Sequence, residues 1–471
     1  MVFSSLTFLL LFLPITLLLY FLRGSVRWRN GILLIVSLVF YAWSEPIWIL
    51  ALVASTLVNY GCALGIVRAP RMRRLWLFVG VGLSLALLFY FKYATFFWGP
   101  IAALLGLNAP SVVMPIGVSF YTFQVLTYTV DVYRGKAQAE RNPLLVLLYV
   151  SCFPQLVAGP IVQYADIAAE MKRRHTSMND FIEGMKRFAV GLGKKVLLAN
   201  ICGLALASTN LADGAAELCV AGAWYSALLY TLQIFFDFSA YSDMAIGLGR
   251  VFGFHYKENF NAPYLSTSVS DFWRRWHISL GSFFRDYVYI PLGGNRKGAA
   301  RTVLNLLLVW SLTGLWHGAS WNFIVWGAYY GVLIVLERFV FQRLRAPKAL
   351  SWLLTMLLVM IGWVLFYYVD LRQGATHLLA MFGMKSTAAG LVGIPLLDAT
   401  TLAVMKQYTA FPLIACLCAL PLARWLRARM PDERSQAAWN VVATVALTAV
   451  LIASVACLVG QSYNPYIYFR F

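Results

Sequence analysis

Residues Thr302–Trp316 read TVLNLLLVWSLTGLW, and this stretch decides which class of fold the chain can adopt. It holds no ionisable side chain, it follows Arg301, and it immediately precedes His317. An α-helix rises 1.5 Å per residue, so the stretch would climb roughly 20 Å beyond Arg301. With Arg301 at the cytoplasmic face, His317 would lie well inside a hydrocarbon core about 30 Å thick.

The composition of the whole chain agrees with a protein made of many such stretches. Of its 471 residues, 61% are hydrophobic and only 12% are charged, and the mean hydropathy is +0.72. Soluble domains usually carry about 25% charged residues, so this chain has too little charge for a large soluble core. The sequence therefore predicts an all-α polytopic integral membrane protein, with one membrane-embedded domain over residues 1–471.

Apolar stretches along the chain are candidates for membrane-spanning or re-entrant helices. A span needs about 20 apolar residues, and several stretches are shorter, which is typical of re-entrant or tilted helices buried by protein. No charge precedes Arg23, which favours an uncleaved first span with its N-terminus outside. We expect about 11–13 transmembrane and re-entrant helices, drawn from Leu6–Leu22, Gly31–Tyr41, Ile47–Val67, Leu75–Phe91, Leu144–Val162, Val196–Ser208, Ala223–Phe236, Val303–Leu315, Phe323–Leu336, Leu350–Val369, Phe411–Leu422 and Val441–Val459.

The strong positive charge indicates membrane topology rather than nucleic-acid binding. The chain has 38 Lys and Arg against 19 Asp and Glu, a formal net charge of +19. The basic residues lie in short loops between apolar stretches, which is the pattern of cytoplasmic loops in bacterial membrane proteins. We expect membrane lipid and no nucleic acid as a partner, and we assign to the cytoplasm the groups Arg68, Arg71, Arg73 and Arg74; Arg134, Lys136 and Arg141; Lys172–Arg174; Arg296–Arg301; Arg338–Lys348; and Arg424–Arg434.

The seven cysteines predict neither a disulfide framework nor a metal site. They are scattered without any CxxC pair, and the closest two, Cys416 and Cys418, have no neighbouring histidine. We interpret them as small apolar residues within spans, and no metal ligand is expected in this chain.

His317 is the first candidate for a catalytic residue, within an unusually polar and aromatic segment at 259–330. Ionisable residues are expensive inside lipid, so they are functional candidates there by default. A buried, neutral imidazole can act as a general base on an attacking hydroxyl. Gly314 and Gly318 would let a substrate approach the backbone closely. The alternative is a structural histidine bonded to a neighbouring carbonyl group.

His277 is the second candidate, in the sequence Trp273-Arg274-Arg275-Trp276-His277. As a functional residue, it would support catalysis or bind the donor. The alternative is that it belongs to an amphipathic helix at the membrane interface, where its side chain would extend toward water. The glycine-rich turn at 293–298 would suit a phosphate, but its basic residues favour a plain cytoplasmic loop. The candidates for the donor side are Arg274, Arg275, Trp276, Arg285, Asn295, Arg296 and Lys297.

A second polar patch interrupts the apolar stretch that contains Asp237 and Asp243. Two acids at this depth need cationic partners, and Arg274, Arg275 or Arg285 are the partners that we expect for a structural ion-pair network. Helix breaks are predicted at 114–120 and 154–160, where proline and glycine cluster. The remaining histidines, at 175, 255 and 377, lie near predicted loops and receive little weight.

Five sequence blocks together resemble the membrane-bound O-acyltransferases, and most closely their alginate and exopolysaccharide O-acetyltransferase branch. The opening MVFSSLTFLLLFLP and the ending NPYIYFRF also fit that branch, so the resemblance covers nearly the whole chain. Two of the blocks carry the histidines, which lie 40 residues apart. The blocks are MPIGVSFYTFQ from Met114, DFSAYSDMAIGLG from Asp237, WRRWHISL from Trp273, RDYVYIPLGGNRKG from Arg285 and GLWHGASWNFIVWG from Gly314.

The resemblance implies a fold and a chemistry. It implies a ring of helices around a central tunnel, a catalytic core at 110–345, His317 as the catalytic residue and His277 in a supporting or donor-side role. It also implies that a cytoplasmic acyl-CoA, here acetyl-CoA, meets an acceptor from the far side, with no permanently bound cofactor. Ala240 stands where the family would have glycine, which is a conservative change. A long polar insertion of some alginate enzymes is missing, so the resemblance indicates the chemistry rather than the polymer.

The resemblance also implies partners and a location, and it leaves rivals open. A periplasmic SGNH-type, esterase-like protein and other exopolysaccharide-machinery subunits would receive the acetyl group at a bacterial inner membrane, for a polymer such as alginate or cellulose. The rival classes are a transporter or flippase for polysaccharide or lipid-linked sugar, and an inert structural subunit of an export complex. A transporter would favour an inverted repeat, and the sequence shows none.

Overall fold

The described part of the protein is almost entirely α-helical. The computed structural model describes residues 1–108, 112–209, 218–341, 346–460 and 466–467. Within these ranges, β structure is limited to one antiparallel hairpin of β1 (Met384–Thr387) and β2 (Gly390–Gly393), in which Met384 pairs with Gly393. The predicted all-α class is confirmed. Most of the ending NPYIYFRF, and part of the basic segment Arg338–Lys348, lie outside the described residues.

The chain divides into two compact units, and the first comprises Met1–Leu192, Tyr241–Glu258 and Val450–Arg470. It opens with a π-helical stretch at Phe8–Phe12. Its α-helices are α1 (Leu13–Phe21), α2 (Val26–Ser44), α3 (Ile49–Arg68), α4 (Arg73–Leu104), α5 (Val118–Arg134), α6 (Pro143–Ser151), α7 (Phe153–Leu156), α8 (Tyr164–Lys172) and α9 (Met178–Gly193).

The second unit comprises Gly193–Ala240 and Asn259–Ala449. π-helical stretches at Lys194–Ala199 and Arg285–Tyr289 interrupt its helical pattern. Its α-helices are α10 (Asn200–Ala207), α11 (Val220–Val251), α12 (Val269–Arg275), α13 (Ile278–Phe284), α14 (Ala299–His317), α15 (Trp321–Phe339), α16 (Lys348–Tyr367), α17 (Leu371–Met381), α18 (Ala399–Gln407), α19 (Phe411–Cys418), α20 (Leu422–Ala428) and α21 (Glu433–Leu458). The last residues of α11 and of α21 belong to segments of the first unit. The prediction of one domain over 1–471 stays a prediction.

Several helices are long and apolar enough to cross a bilayer, which confirms a multi-pass membrane protein. Among the described residues there are 6 such helices, or 7 if the pair α18 and α19, bent by 59°, is one span. This test counts only long helices, so the predicted total of 11–13 spanning and re-entrant helices stays a prediction. The six are Ile49–Arg68, Pro70–Leu104, Met178–Ala207, Ala299–His317, Lys348–Tyr367 and Glu433–Leu458.

Two predicted spans differ from the helices observed. The stretch Leu144–Val162 is not one helix, because the chain breaks at Cys152 and restarts with Pro154 in the first turn of α7. Proline is tolerated there but would break a longer helix, so the predicted break at 154–160 is confirmed. The stretch Ala223–Phe236 is too short, because α11 continues through both buried acids to Val251.

The sequence analysis missed α5, a helix whose polar side chains are buried. Its start agrees with the predicted break at 114–120, because Gly117 has a left-handed φ of 78°. Thr129 donates to the side-chain oxygen of Asn59 at 2.7 Å, and Asn59 donates to Ser84 at 2.8 Å. Polar groups without water must find partners inside the protein, and this network across α3, α4 and α5 supplies them.

Candidate active site

The first component of the site is a cavity of about 340 Å³ in the second unit. Helices α12, α13 and α14 and the π-helical stretch that starts at Arg285 surround it. Four of the residues predicted from the sequence line it, namely Arg274, Trp276, His277 and Arg285. The structure therefore brings one predicted histidine together with two arginines and an aromatic side chain.

A short helix and a strained turn position His277. Helix α12 begins at the N-cap Ser268, whose hydroxyl accepts the backbone N–H of Asp271 at 3.1 Å. The helix ends because Trp276 is extended and His277 is left-handed, with φ 47° and ψ 53°. Such a conformation costs a non-glycine residue about 1–3 kcal/mol and is found mainly where the surroundings enforce it. The backbone N–H of Ile278 donates to the carbonyl of Asn259 at 3.0 Å and helps to fix the turn.

His277 is buried, with only 2% of its surface exposed. The expected alternative of an interfacial histidine that reaches for water is therefore wrong. His277 lies outside the six candidate spans, and burial lowers its pKa to about 3. An imidazole with that pKa is neutral at physiological pH, because removing the charged form from water is too costly.

Polar atoms contact one side of the His277 ring and aromatic rings contact the others. Its Nδ1 lies 3.2 Å from the side-chain oxygen of Asn259. The rings of Phe238 and Trp316 lie 4.7 and 5.9 Å from it, both roughly edge to face. The buried Nε2 atom has no hydrogen-bond partner among the described residues.

His317 is the last residue of α14 and is surrounded by aromatic side chains. It is 7% exposed, which agrees with the predicted burial. Its ring lies 4.9 Å from Trp316, 5.0 Å from Trp326 and 5.2 Å from Phe366, all edge to face, and we call these three the aromatic cage. His317 does not line the cavity of His277. Trp316 contacts both imidazoles, so one indole connects the two candidate histidines.

The glycines beside His317 have a different role from the one expected. A Cβ atom on Gly314 would lie 2.2 Å from the carbonyl oxygen of Phe323, and one on Gly327 would lie 2.5 Å from the carbonyl oxygen of Trp310. A Cβ atom on Gly318 would lie 2.3 Å from the Phe323 ring. The space beside these glycines is filled by protein, so the expectation of close substrate approach is wrong. They allow α14 and α15 to pack backbone to backbone, as small residues do in membrane helices.

The other predicted donor-side residues lie outside the cavity. Arg275 is paired with Asp271 at 2.9 Å. The residues Asn295, Arg296 and Lys297 form an exposed turn that the side chain of Asn305 anchors by donating to the carbonyl of Gly294 at 2.9 Å. Within the cavity, Arg285 is bound by the adjacent Asp286 at 2.8 Å and Arg274 donates to the carbonyl of Ser270 at 3.3 Å.

The buried acids of α11 have cationic partners, but not the ones expected. Asp237 pairs with the buried Lys195 at 2.6 Å in the second unit. Asp243 pairs with Arg187 at 2.9 Å in the first unit, where Arg187 also binds Glu258. Lysine and arginine from the helical segment before α11 neutralise these acids, whereas Arg274 and Arg285 line the cavity and Arg275 pairs with Asp271.

His377 serves as a structural comparison for the two candidates. Its Nδ1 lies 2.9 Å from the Tyr368 hydroxyl and its Nε2 lies 3.0 Å from the Ala223 carbonyl, so both ring nitrogens are engaged. Burial lowers its pKa to about 4, against the opposing effect of the Ala223 carbonyl. The partners Asn259 and Ser279 of His277 were missed by the sequence analysis, since no spacing pattern relates an amide to a histidine 18 residues later.

The arrangement suits proton transfer by a neutral imidazole. Among the described residues, no group of three or more His, Cys, Asp or Glu is placed to hold a metal ion. Buried histidines beside a cavity, in a helical protein with several membrane spans, define a candidate for a membrane-embedded transferase that acts on a hydroxyl group.

Comparison with known proteins gives the particular family. The model of the MBOAT, membrane-bound O-acyltransferase, family matches residues 137–370. The chain is 40% identical to the probable alginate O-acetylase AlgI of Pseudomonas putida over the whole of both chains. It is 33% identical to the peptidoglycan O-acetyltransferase of Helicobacter pylori, covering 82% of this chain and 81% of that one. It is 28% identical to the teichoic acid D-alanyltransferase of Bacillus subtilis, covering 50% and 62%.

The chain belongs to the membrane-bound O-acyltransferase family. It is an O-acyltransferase, which decides between the enzyme and the transporter or export subunit that the sequence left open. The resemblance found in the sequence is confirmed.

Proposed function

We propose that this O-acyltransferase moves an acetyl group from cytoplasmic acetyl-CoA across the bacterial inner membrane for O-acetylation of an exopolysaccharide, such as alginate or cellulose. The observation that carries the proposal is the contact of His277 and His317 with one indole, Trp316, beside a cavity that holds two arginines. The full-length relatives whose names include alginate O-acetylase support acetyl as the group and an alginate-like polymer as its final destination.

In the proposed reaction His317 is the general base. An acceptor hydroxyl attacks the carbonyl carbon of the thioester, and His317 takes the hydroxyl proton as the new C–O bond forms. The C–S bond breaks and the thiolate leaves with the electron pair. Protonated His317 then returns the proton to sulfur, which yields the acetyl ester and the free thiol. The aromatic cage keeps water from this base, so the thioester is not lost to hydrolysis.

The cavity of His277 is the proposed donor site. A guanidinium group binds phosphate through two parallel hydrogen bonds, so Arg274 and Arg285 suit the phosphates of coenzyme A. A volume of about 340 Å³ lies at the lower end for ligand pockets, which suits the acyl group and its flexible arm better than the nucleotide. The exposed turn of Asn295, Arg296 and Lys297 would meet the remaining phosphate outside the cavity.

The acceptor in this proposal is a periplasmic carrier rather than the polymer itself. A polysaccharide chain is too large for the cavity, so a protein hydroxyl that carries the acetyl group onward is the simpler acceptor. An SGNH-type, esterase-like partner and other exopolysaccharide-machinery subunits would complete the transfer.

The test is the variant His317→Ala, with His255→Ala as the matched control. His255 is an exposed histidine paired with Glu170 at 2.7 Å. We expect His317→Ala to lower acetyl transfer from labelled acetyl-CoA in proteoliposomes by about 10²–10⁴-fold, the usual contribution of a general base. His255→Ala should leave transfer unchanged. Wild-type transfer and polymer acetylation by His317→Ala would refute the assignment.

A further inference from the structure

The side chain of Asn259 bears on which nitrogen of the neutral His277 ring carries the proton. Its oxygen accepts the backbone N–H of Ser279 at 3.1 Å and the Ser279 hydroxyl at 2.9 Å. A backbone N–H can only donate, so the atom that faces it must be the oxygen of the amide and not its nitrogen. The orientation of the Asn259 amide is therefore decided by the backbone.

The same oxygen lies 3.2 Å from Nδ1 of His277. A carbonyl oxygen can only accept a hydrogen bond, and a bare Nδ1 would place two lone pairs against each other at this distance. The proton of the neutral imidazole must then sit on Nδ1. The remaining lone pair of the ring is on Nε2. This atom is buried and has no hydrogen-bond partner among the described residues, and His277 itself lines the cavity.

We infer that Asn259 is a positioning residue that holds His277 as the Nδ1–H tautomer, so that Nε2 is a hydrogen-bond acceptor at the donor cavity. This inference rests on the proposed function, since Nε2 would accept a hydrogen bond from an N–H group of the bound donor or from the S–H group of the thiol product. Asn259 is fully buried, and its backbone carbonyl also binds the N–H of Ile278 at 3.0 Å. One residue thus fixes both the left-handed turn and the tautomer.

Burial is what keeps His277 neutral, because it lowers the pKa of the imidazole to about 3. In the described part of the chain, Arg274 of α12 and Arg285 of the π-helical stretch are the charged residues that line its cavity. Arg285 is paired with Asp286. The neighbours from α11 and α14, Phe238 and Trp316, do not titrate in this range.

The experiment compares Asn259→Leu and Asn259→Asp in proteoliposomes with labelled acetyl-CoA. Asn259→Leu removes the acceptor, and kcat should fall about 10- to 100-fold, as when an orienting partner of a histidine is lost, with KM little changed. Asn259→Asp restores an acceptor and should recover most of the activity.

The pH profile separates positioning from a purely structural role. A carboxylate at 259 stabilises the protonated imidazole, so the acid limb of kcat should move to higher pH by about 1–2 units in Asn259→Asp. In a His277→Ala background, Asn259→Leu should cause no further loss. Wild-type kcat in Asn259→Leu, independent losses in the double variant, or an unmoved acid limb in Asn259→Asp would each overturn the inference.

Two measurements distinguish a failure of this inference from a misfolded variant and from a failure of the proposed function. If Asn259→Leu fails to give a monodisperse protein, the pH profile of Asn259→Asp alone decides. Failure of the proposed function would appear as wild-type transfer in His317→Ala, a variant that leaves the contact between Asn259 and His277 in place.

Discussion

The variant Gly314→Ala tests whether His317 depends on the close approach of α14 and α15. The added Cβ would lie 2.2 Å from the carbonyl oxygen of Phe323, whereas ordinary contacts are 3.4–4 Å. The two helices would have to separate by about 1 Å or more to relieve the overlap. Overpacking of this kind costs about 1–3 kcal/mol of stability. His317 is three residues further along α14, so its ring would shift relative to Trp326 on α15.

The expected result is a loss of stability together with a loss of turnover. A displacement of about 1 Å at a catalytic group can lower the rate about 100-fold, so kcat per folded protein should fall by that order in Gly314→Ala. Thermal unfolding in detergent and acetyl transfer in proteoliposomes measure the two effects. The matched control is Gly82→Ala on α4, where nothing lies within 4 Å of the new Cβ and helix propensity improves by about 1 kcal/mol. Wild-type stability and turnover in Gly314→Ala would refute the proposed coupling.

Three further predictions concern the buried histidines, the buried pair of Lys195 and Asp237, and Arg274 at the cavity. The pKa values of His277 and His377 are lowered to about 3 and about 4 in the folded protein, so the unfolded state binds more protons below about pH 6.5. Each histidine should therefore lower the free energy of unfolding by about 2 kcal/mol when the pH falls from 7 to 5. Chemical unfolding at the two pH values measures this loss, and equal stability at both would contradict it. Lys195→Met removes the cation that pairs with the buried carboxylate of Asp237 and should destabilise by about 3–5 kcal/mol, whereas the double variant with Asp237→Leu should recover most of that loss in the same unfolding assay. Arg274→Gln should raise KM for acetyl-CoA about tenfold with kcat little changed, since a charged hydrogen bond to phosphate contributes about 1.5–3 kcal/mol; an unaltered KM would remove Arg274 from the donor site.

The parts of the fold that were predictable from the sequence are those where one property dominates. The stretch Val303–Leu315 was predicted as a span, and α14 covers Ala299–His317, because a long run without charges leaves few alternatives to a helix in lipid. Helix α5 was missed for the opposite reason. Its polar side chains lower the local hydropathy, and only the tertiary partner of Thr129, Asn59, makes a buried helix possible there.

The candidate site also has residues that the sequence predicts and partners that it does not. The motif blocks predicted both histidines, but only the burial of His317 could be argued from the lack of nearby charges, since Arg274 and Arg275 lie next to His277 in the sequence. The partner of His277 could not be predicted, because Asn259 reaches it only after the chain turns through a left-handed His277. The ion pairs of Asp237 and Asp243 were predicted in kind but not in identity, since a charge pattern shows that a buried acid needs a cation without showing which helix supplies it.

The surroundings of the two histidines differ in a way that bears on their roles. His277 is oriented by hydrogen bonds to Asn259 and by its backbone turn, so its basic atom is fixed before any substrate binds. His317 is packed edge to face against three aromatic rings at the end of α14. A proton on His277 is opposed by burial, which lowers the pKa of its imidazole to about 3. This difference favours His317 as the residue that gains a proton in the transition state and His277 as the neutral acceptor beside the donor.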